Sequence, residues 1–214
     1  MPQVTEVLAD FDGFAVKYDT GENPFFRPII VENLRKLSEV EAGKSLLAKI
    51  AEARPRSRSD FPPGINVMCI PTHINFTQSG FKRETMYDAD GNAQVTGMTA
   101  TEDARFAPAE CPFWMAGGSA NRAVDQSAAN DGTGTVCEMR FSNVQVMTRK
   151  GEKADPYIVL AHELVHSFHA LSGTRLDGKD EERRATGIGT FADEALSENV
   201  FRQQFKMPPR NAYF

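Results

Sequence analysis

Apolar residues recur at helical spacing twice in the first third of the chain. Val31, Leu34 and Leu37 predict a helix over 31–37, and Leu46, Leu47 and Ile50 a second over 43–53, stopped by Pro55. A basic, serine-containing linker (54–59) and Pro62-Pro63-Gly64 lead into Ile65-Asn66-Val67-Met68-Cys69-Ile70, whose alternation predicts a strand. Asp90-Gly91-Asn92 between 84–87 and 93–96 is a hairpin signal; the rest of 72–135 sustains no period. Thr135 to Met147 predicts one or two strands, read as an edge strand leading into the next helix. That helix carries the densest apolar run, from Tyr157-Ile158-Val159-Leu160 through Leu164, Val165, Phe168 and Leu171. Asp155-Pro156 supplies an N-cap and a first-turn proline, and Gly173 a stop. Helices, a small sheet with long loops, a central apolar helix and one or two closing helices read as α+β.

Composition narrows this only a little. A chain of 214 residues supports one substantial core, so a single domain over 1–214 is expected. A net charge of -5 without a basic run argues against nucleic acid or an anionic membrane as the main partner. Cys69, Cys111 and Cys137 are odd in number and lack any Cys-x-x-Cys pair, so they read as reduced core thiols. The N-terminus lacks the basic and apolar segments of a general secretory signal, and no apolar stretch approaches spanning length, so a soluble protein is expected.

Chemistry enters with the histidines. Three of the four lie within His162-Glu163-Leu164-Val165-His166-Ser167-Phe168-His169, inside the apolar helix. Residues four apart on a helix differ by about 40° around the axis, so His162 and His166 project from one face and can close on one metal ion. Zinc accepts such imidazoles, and a catalytic site completes three protein ligands while keeping a fourth position open. Glu163, next to the first ligand, can reach an attacking water as general base.

A third ligand must lie downstream, where Asp180-Glu181-Glu182 and Asp193-Glu194 compete, either of them on a helix facing the first. Glu181-Glu182-Arg183-Arg184-Ala185-Thr186-Gly187 resembles the Glu-Glu-x-Arg-Thr-x-Gly segment of clostridial neurotoxin light chains, in which the second glutamate binds zinc; Ala185 stands where threonine is more usual. Asp193-Glu194 through Asn199 resembles the thermolysin-type segment, which would make Glu194 the ligand. Glu182 is preferred. Arg183, Arg184 and Arg202 could instead neutralise these clusters as solvated helix faces. Arg210-Asn211-Ala212-Tyr213 repeats the Arg-x-x-Tyr spacing of the light chains, where both side chains steady the oxyanion. A chain shortened by residues 210–214 is therefore expected to fold and hold zinc but to cleave slowly.

Together with Gly187-Ile188-Gly189, Ser197 to Arg202 and Pro208-Pro209, these segments resemble the NleD-like effector metallopeptidases over residues 157–214. The resemblance implies a zincin-like domain with an HExxH helix and one Zn2+ held by His162, His166 and Glu182. Glu163, Arg210 and Tyr213 would be catalytic. It also implies type III export through an N-terminal address within residues 1–25, delivery into the host cell cytoplasm, and cleavage of stress-activated MAP kinases in the activation loop. Two alternatives stay open: a broad-specificity thermolysin-like peptidase using Glu194, and a non-enzymatic binding protein whose zinc site is closed by His169 or a cysteine.

Overall fold

The computed structural model describes residues 3–71, 81–87, 93–100, 111–112, 120–141, 143, 146–147 and 153–211. In chain order the elements begin with β1 (Gln3–Val7), β2 (Phe14–Asp19), α1 (Phe26–Leu37), α2 (Glu41–Glu52) and β3 (Val67–Pro71). Four strands follow as β4 (Phe81–Tyr87), β5 (Ala93–Ala100), β6 (Cys111–Pro112) and β7 (Ala120–Ala123). After β8 (Cys137–Phe141), β9 (Val146–Met147) and β10 (Lys153–Ala154) come α3 (Pro156–Leu171), α4 (Gly178–Thr186) and α5 (Glu198–Gln204). The fold is α+β.

The main sheet has the order β1-β2-β3-β8-β7. Its centre is parallel, β2 to β3 to β8, and its two outer pairs are antiparallel. Alternation decides which face is covered. Phe14, Val16 and Tyr18 join Cys69, Met139 and Phe141 in one core with the helices, whereas Ala15 and Met68 point to the opposite face and a smaller cluster. Residues 3–19, within the stretch assigned to export, thus form a hairpin whose β2 side chains enter the core.

One expectation about strands holds and one changes. Residues 135–147 divide between sheets: β8 lies in the main one, while β9 pairs with β6 and β10 in a smaller one. The strand entering from Thr135 is no edge. β8 is flanked by β3 and β7, and β3 by β2 and β8, and the buried Val67, Cys69, Cys137, Met139 and Phe141 suit the sheet centre. Among the described strands, β7 is the edge that borders α3. The β4–β5 pair runs antiparallel as expected, although the Asp90-Gly91-Asn92 turn lies outside the described residues, as do His73 and Tyr213.

Helices α1 and α2 occupy the predicted positions, α1 starting earlier because Pro28 is tolerated in a first turn. Ile30, Leu34, Leu46 and Ile50 are fully buried. Helix α3 is enclosed on nearly all sides: α1 and α2 pack on it, β7 and β8 cover it, and α4 and α5 lie against its polar stripe. Its Ile158, Leu160, Leu164 and Val165 are inaccessible, each worth about 1.5–3 kcal/mol of burial. Asp155 occupies the N-cap, Pro156 the first turn, and Gly173 follows the C-cap Ser172. The Gly132-Thr133-Gly134 cluster clasps this end, with Gly132 N–H donating to the Gly173 carbonyl and Thr135 N–H to that of Ala170. At Gly134 (φ +76) a Cβ would collide with the Leu171 carbonyl, so only glycine permits the approach.

Candidate metal centre

Enclosing α3 buries its polar residues as well. His162, Glu163, His166, Ser167 and His169 are all less than 9% exposed, and buried polar groups destabilise a fold unless partnered. The partners come from α4 and α5.

Helix α4 packs along α3 and presents two adjacent glutamates to different histidines. Glu182 Oε2 lies 3.2 Å from His162 Nε2 and 3.2 Å from His166 Nε2, and the two ring nitrogens are 3.1 Å apart. Its neighbour Glu181 is 2% exposed and bridges His166 Nδ1 (2.7 Å) and His169 Nδ1 (2.8 Å), while accepting from the Leu176 N–H. Gly187 (φ +78) ends α4; a Cβ there would strike Ser197 at the α5 N-cap, so the glycine lets α4 and α5 meet at the site. Helix α5 contributes Glu198, whose Oε2 is 3.1 Å from His162 Nδ1. Glu198 also accepts from Arg202 Nε (2.7 Å) and Arg210 Nη1 (2.9 Å). Asn199 closes the bracket, accepting from the Arg210 N–H and donating to the carbonyls of Arg210 and Gly187.

The donor set fits zinc. Three ligand atoms with edges of 3.1, 3.2 and 3.2 Å form a near-equilateral triangle. A tetrahedral centre with bonds of about 2.0 Å holds its ligand atoms roughly 3.3 Å apart. Two imidazoles and one carboxylate are also a common catalytic set for this ion. Each ring turns its Nε2 inward while its Nδ1 meets a carboxylate, the outer arrangement that fixes tautomer and ring direction in histidine metal sites.

Charge follows the same geometry. Burial pushes the Glu182 and Glu198 carboxyls up, but the adjoining histidines, and for Glu198 the two arginines, outweigh it and hold both well below the usual carboxylate range. Glu181 is likewise lowered, to about 2, by His166 and His169 against the effect of burial. Burial works against a charged His162, yet Glu182 and Glu198 raise it to about 10. Glu163 differs: burial pushes its carboxyl up more strongly than the nearby histidines pull it down. Among the described residues its carboxylate takes no hydrogen bond; only its backbone carbonyl does, from Ser167 Oγ at 3.1 Å.

The structure therefore brings together His162, His166 and Glu182, with Glu163 beside them. Glu194 lies apart, paired with Arg184 at 2.9 Å, so the second acidic cluster contributes an ion pair. His169 faces Glu181, outside the three-donor group. Cys69 and Cys137 are buried thiols in the sheet. Arg210 is 5% exposed and reaches the centre through Glu198. Arg210 is thus tied into the buried centre, where it compensates the Glu198 carboxylate. Sequence reasoning gave no role to Glu181 or Glu198. Their signals were there: a third histidine paired with a doubled glutamate, and a Glu198/Arg202 pair at (i, i+4).

Comparison with known proteins agrees with this geometry. The Peptidase M91 family, described as an effector protein, matches residues 16–213. No curated protein matches the chain significantly. Among solved structures, the catalytic domain of Clostridium botulinum neurotoxin serotype F is similar at a TM-score of 0.51 and 14% identity, covering 92% of this chain and 68% of that one, which shows the fold alone. The type D light chain (TM-score 0.42, 17% identity, 75% of this chain) and a serotype F light chain (0.43, 18%, 73%) are also similar. This chain spans 38% of the length of each of those two.

Proposed function

Because the chain belongs to the Peptidase M91 effector protein family, we propose that it is a zinc endopeptidase acting through the His162–His166–Glu182 centre, as one catalytic domain over residues 1–214. The observation that carries this reading is the near-equilateral set of three inward donors with the buried carboxylate of Glu163, which takes no hydrogen bond among the described residues, on the same helix. Bound by those donors, zinc would supply Lewis acidity and a lowered pKa for water.

The chain's own residues do the rest. Glu181 accepts from His166 Nδ1 and the Glu198 carboxylate faces His162 Nδ1 at 3.1 Å, which leaves each Nε2 directed at the metal position. Glu163 takes a proton from the attacking water on a carboxylate oxygen and delivers it to the leaving amide nitrogen, a duty suited to a carboxyl raised by burial. Arg210 and Tyr213 steady the oxyanion of the tetrahedral intermediate. Support for Arg210 is its burial within the Glu198–His162 cluster, and support for Tyr213 is the Arg-x-x-Tyr spacing.

The substrate is a host signalling protein, with stress-activated MAP kinases cleaved in the activation loop as the specific proposal, reached by type III delivery into the host cytoplasm. Family resemblance supports this. No helix among the described residues is long and apolar enough to cross a membrane. Incubating zinc-loaded wild type and Glu163→Gln with intact kinases and with mixed peptides tests the reading. Zinc retained in both proteins but cleavage only by wild type is expected; equal cleavage by the variant would remove Glu163 from the mechanism.

A further inference from the structure

Beyond the end of α3 lies a cation that the metal centre does not use. Arg175 is half-buried, its backbone N–H fixed to the Ala129 carbonyl at 2.9 Å. Among the described residues its guanidinium meets the neutral Asn121, with Nη1 3.5 Å from Oδ1. Asn121 belongs to edge strand β7 and donates to Ser167 Oγ at 2.6 Å; Ser167 in turn donates to the Glu163 carbonyl. The contacts form one chain from Arg175 through the edge strand to the helical turn that carries the general base.

Arg175 lines a cavity of about 220 Å³ with Gln126, Asn130, Leu176, Asp177 and Gly178. Among the described residues the arginines of α4, α5 and the segment after it are ion-paired: Arg183 with Asp180, Arg184 with Glu194, Arg202 and Arg210 with Glu198. Arg175 has no ion pair among the described residues, and Asp177, though it shares the cavity, forms none with it. A half-buried guanidinium keeps five donors in a planar fork suited to a carboxylate or phosphoryl group. Such a group is the partner this cavity lacks.

We propose that the Arg175 cavity is a specificity subsite that receives an anionic side chain of the protein substrate, a carboxylate or a phosphoryl group, on the Glu163 side of the metal centre. The inference rests on the peptidase reading. A substrate pairing along β7 runs past Asn121, which would bring its side chains within reach of the fork. Arg175 thereby selects which bond is cut and takes no part in proton transfer.

The test uses zinc-loaded full-length protein and two degenerate peptide libraries, one containing Asp and Glu and one phosphoserine and phosphothreonine, with cleavage positions read by mass spectrometry. Wild type is expected to enrich anionic residues at one fixed position, and the library that gives the enrichment identifies the group. Arg175→Gln should lose that enrichment by roughly 10-fold through KM with kcat little changed, while Arg175→Lys keeps part of it. Unchanged zinc content and thermal melting would show that the variant is intact. Should Arg175→Gln not fold, Asn121→Asp, which sets a carboxylate against the guanidinium, is expected to produce the same loss. Cleavage without anionic preference, or a preference unchanged in folded Arg175→Gln, overturns the subsite while leaving the peptidase reading in place. No cleavage of either library by wild type that cleaves the intact kinases overturns the subsite alone, whereas cleavage of neither libraries nor intact kinases overturns both.

Discussion

Replacing Glu198 with glutamine should both loosen the fold and weaken zinc binding. The carboxylate is 2% exposed and receives Arg202 Nε, Arg210 Nη1 and His162 Nδ1 at 2.7, 2.9 and 3.1 Å. Glutamine preserves the volume but removes the negative charge, and its amide NH2 must face at least one of these donors. Breaking a buried ion pair from one side costs about 3–5 kcal/mol, because the surviving charge stays desolvated. Arg202 is 1% exposed and cannot turn to water, so the upper half of that range applies. At about 2–4 °C per kcal/mol for a domain of this size, the metal-free variant should melt roughly 8–20 °C below wild type. Loss of the carboxylate behind His162 should also weaken zinc binding by about 10–100-fold. Calorimetric melting of metal-free protein and a competitive zinc titration measure the two effects separately. Adding Arg210→Gln should restore part of the stability, since the double variant no longer buries that unpaired charge. A melting shift within about 2 °C together with unchanged zinc affinity would refute the claim that Glu198 holds this side of the site.

Three further outcomes are expected. Glu181→Gln leaves His166 and His169 without their shared carboxylate, so zinc affinity should fall about 10–100-fold while Glu182 still binds; unchanged affinity in a zinc titration would contradict this. Burial pushes the thiols of Cys69 and Cys137 up to about 12, so at pH 8 neither should react with iodoacetamide until the protein is denatured, and native labelling of either, located by mass spectrometry, would contradict their placement. The same shift sets a sign: this stabilising contribution is complete below the unfolded thiol value of about 8.5 and is lost as pH rises toward the folded one. Tyr213→Phe should retain zinc and melting temperature but cleave about 10²–10³-fold more slowly, and full activity in a turnover assay would dismiss the tyrosine.

Legibility in the sequence tracked the range of the interaction. Helix α3 was readable to its caps, because Asp155, Pro156, the apolar period and Gly173 are local signals. His162 and His166 were readable as partners for the same reason, since a helix converts their spacing directly into geometry. The position of β8 in the sheet centre was not, because parallel pairing with β3 joins residues about seventy positions apart and leaves no local mark. Glu182 and Glu194 were indistinguishable as types. Packing of α4 along α3 is what sends one to the histidines and the other to Arg184. Glu181 and Glu198 escaped notice because a carboxylate behind a ligand has no spacing rule, and only the burial of α3 makes such partners necessary.

X-ray absorption on protein reconstituted with zinc tests the centre most directly. The account predicts one zinc per chain with two imidazoles, seen by their multiple scattering, among nitrogen and oxygen neighbours at about 2.0–2.2 Å, and a shell altered in Glu182→Ala. Failure to take up zinc, a sulfur neighbour in the shell, or an unchanged shell in Glu182→Ala would contradict it.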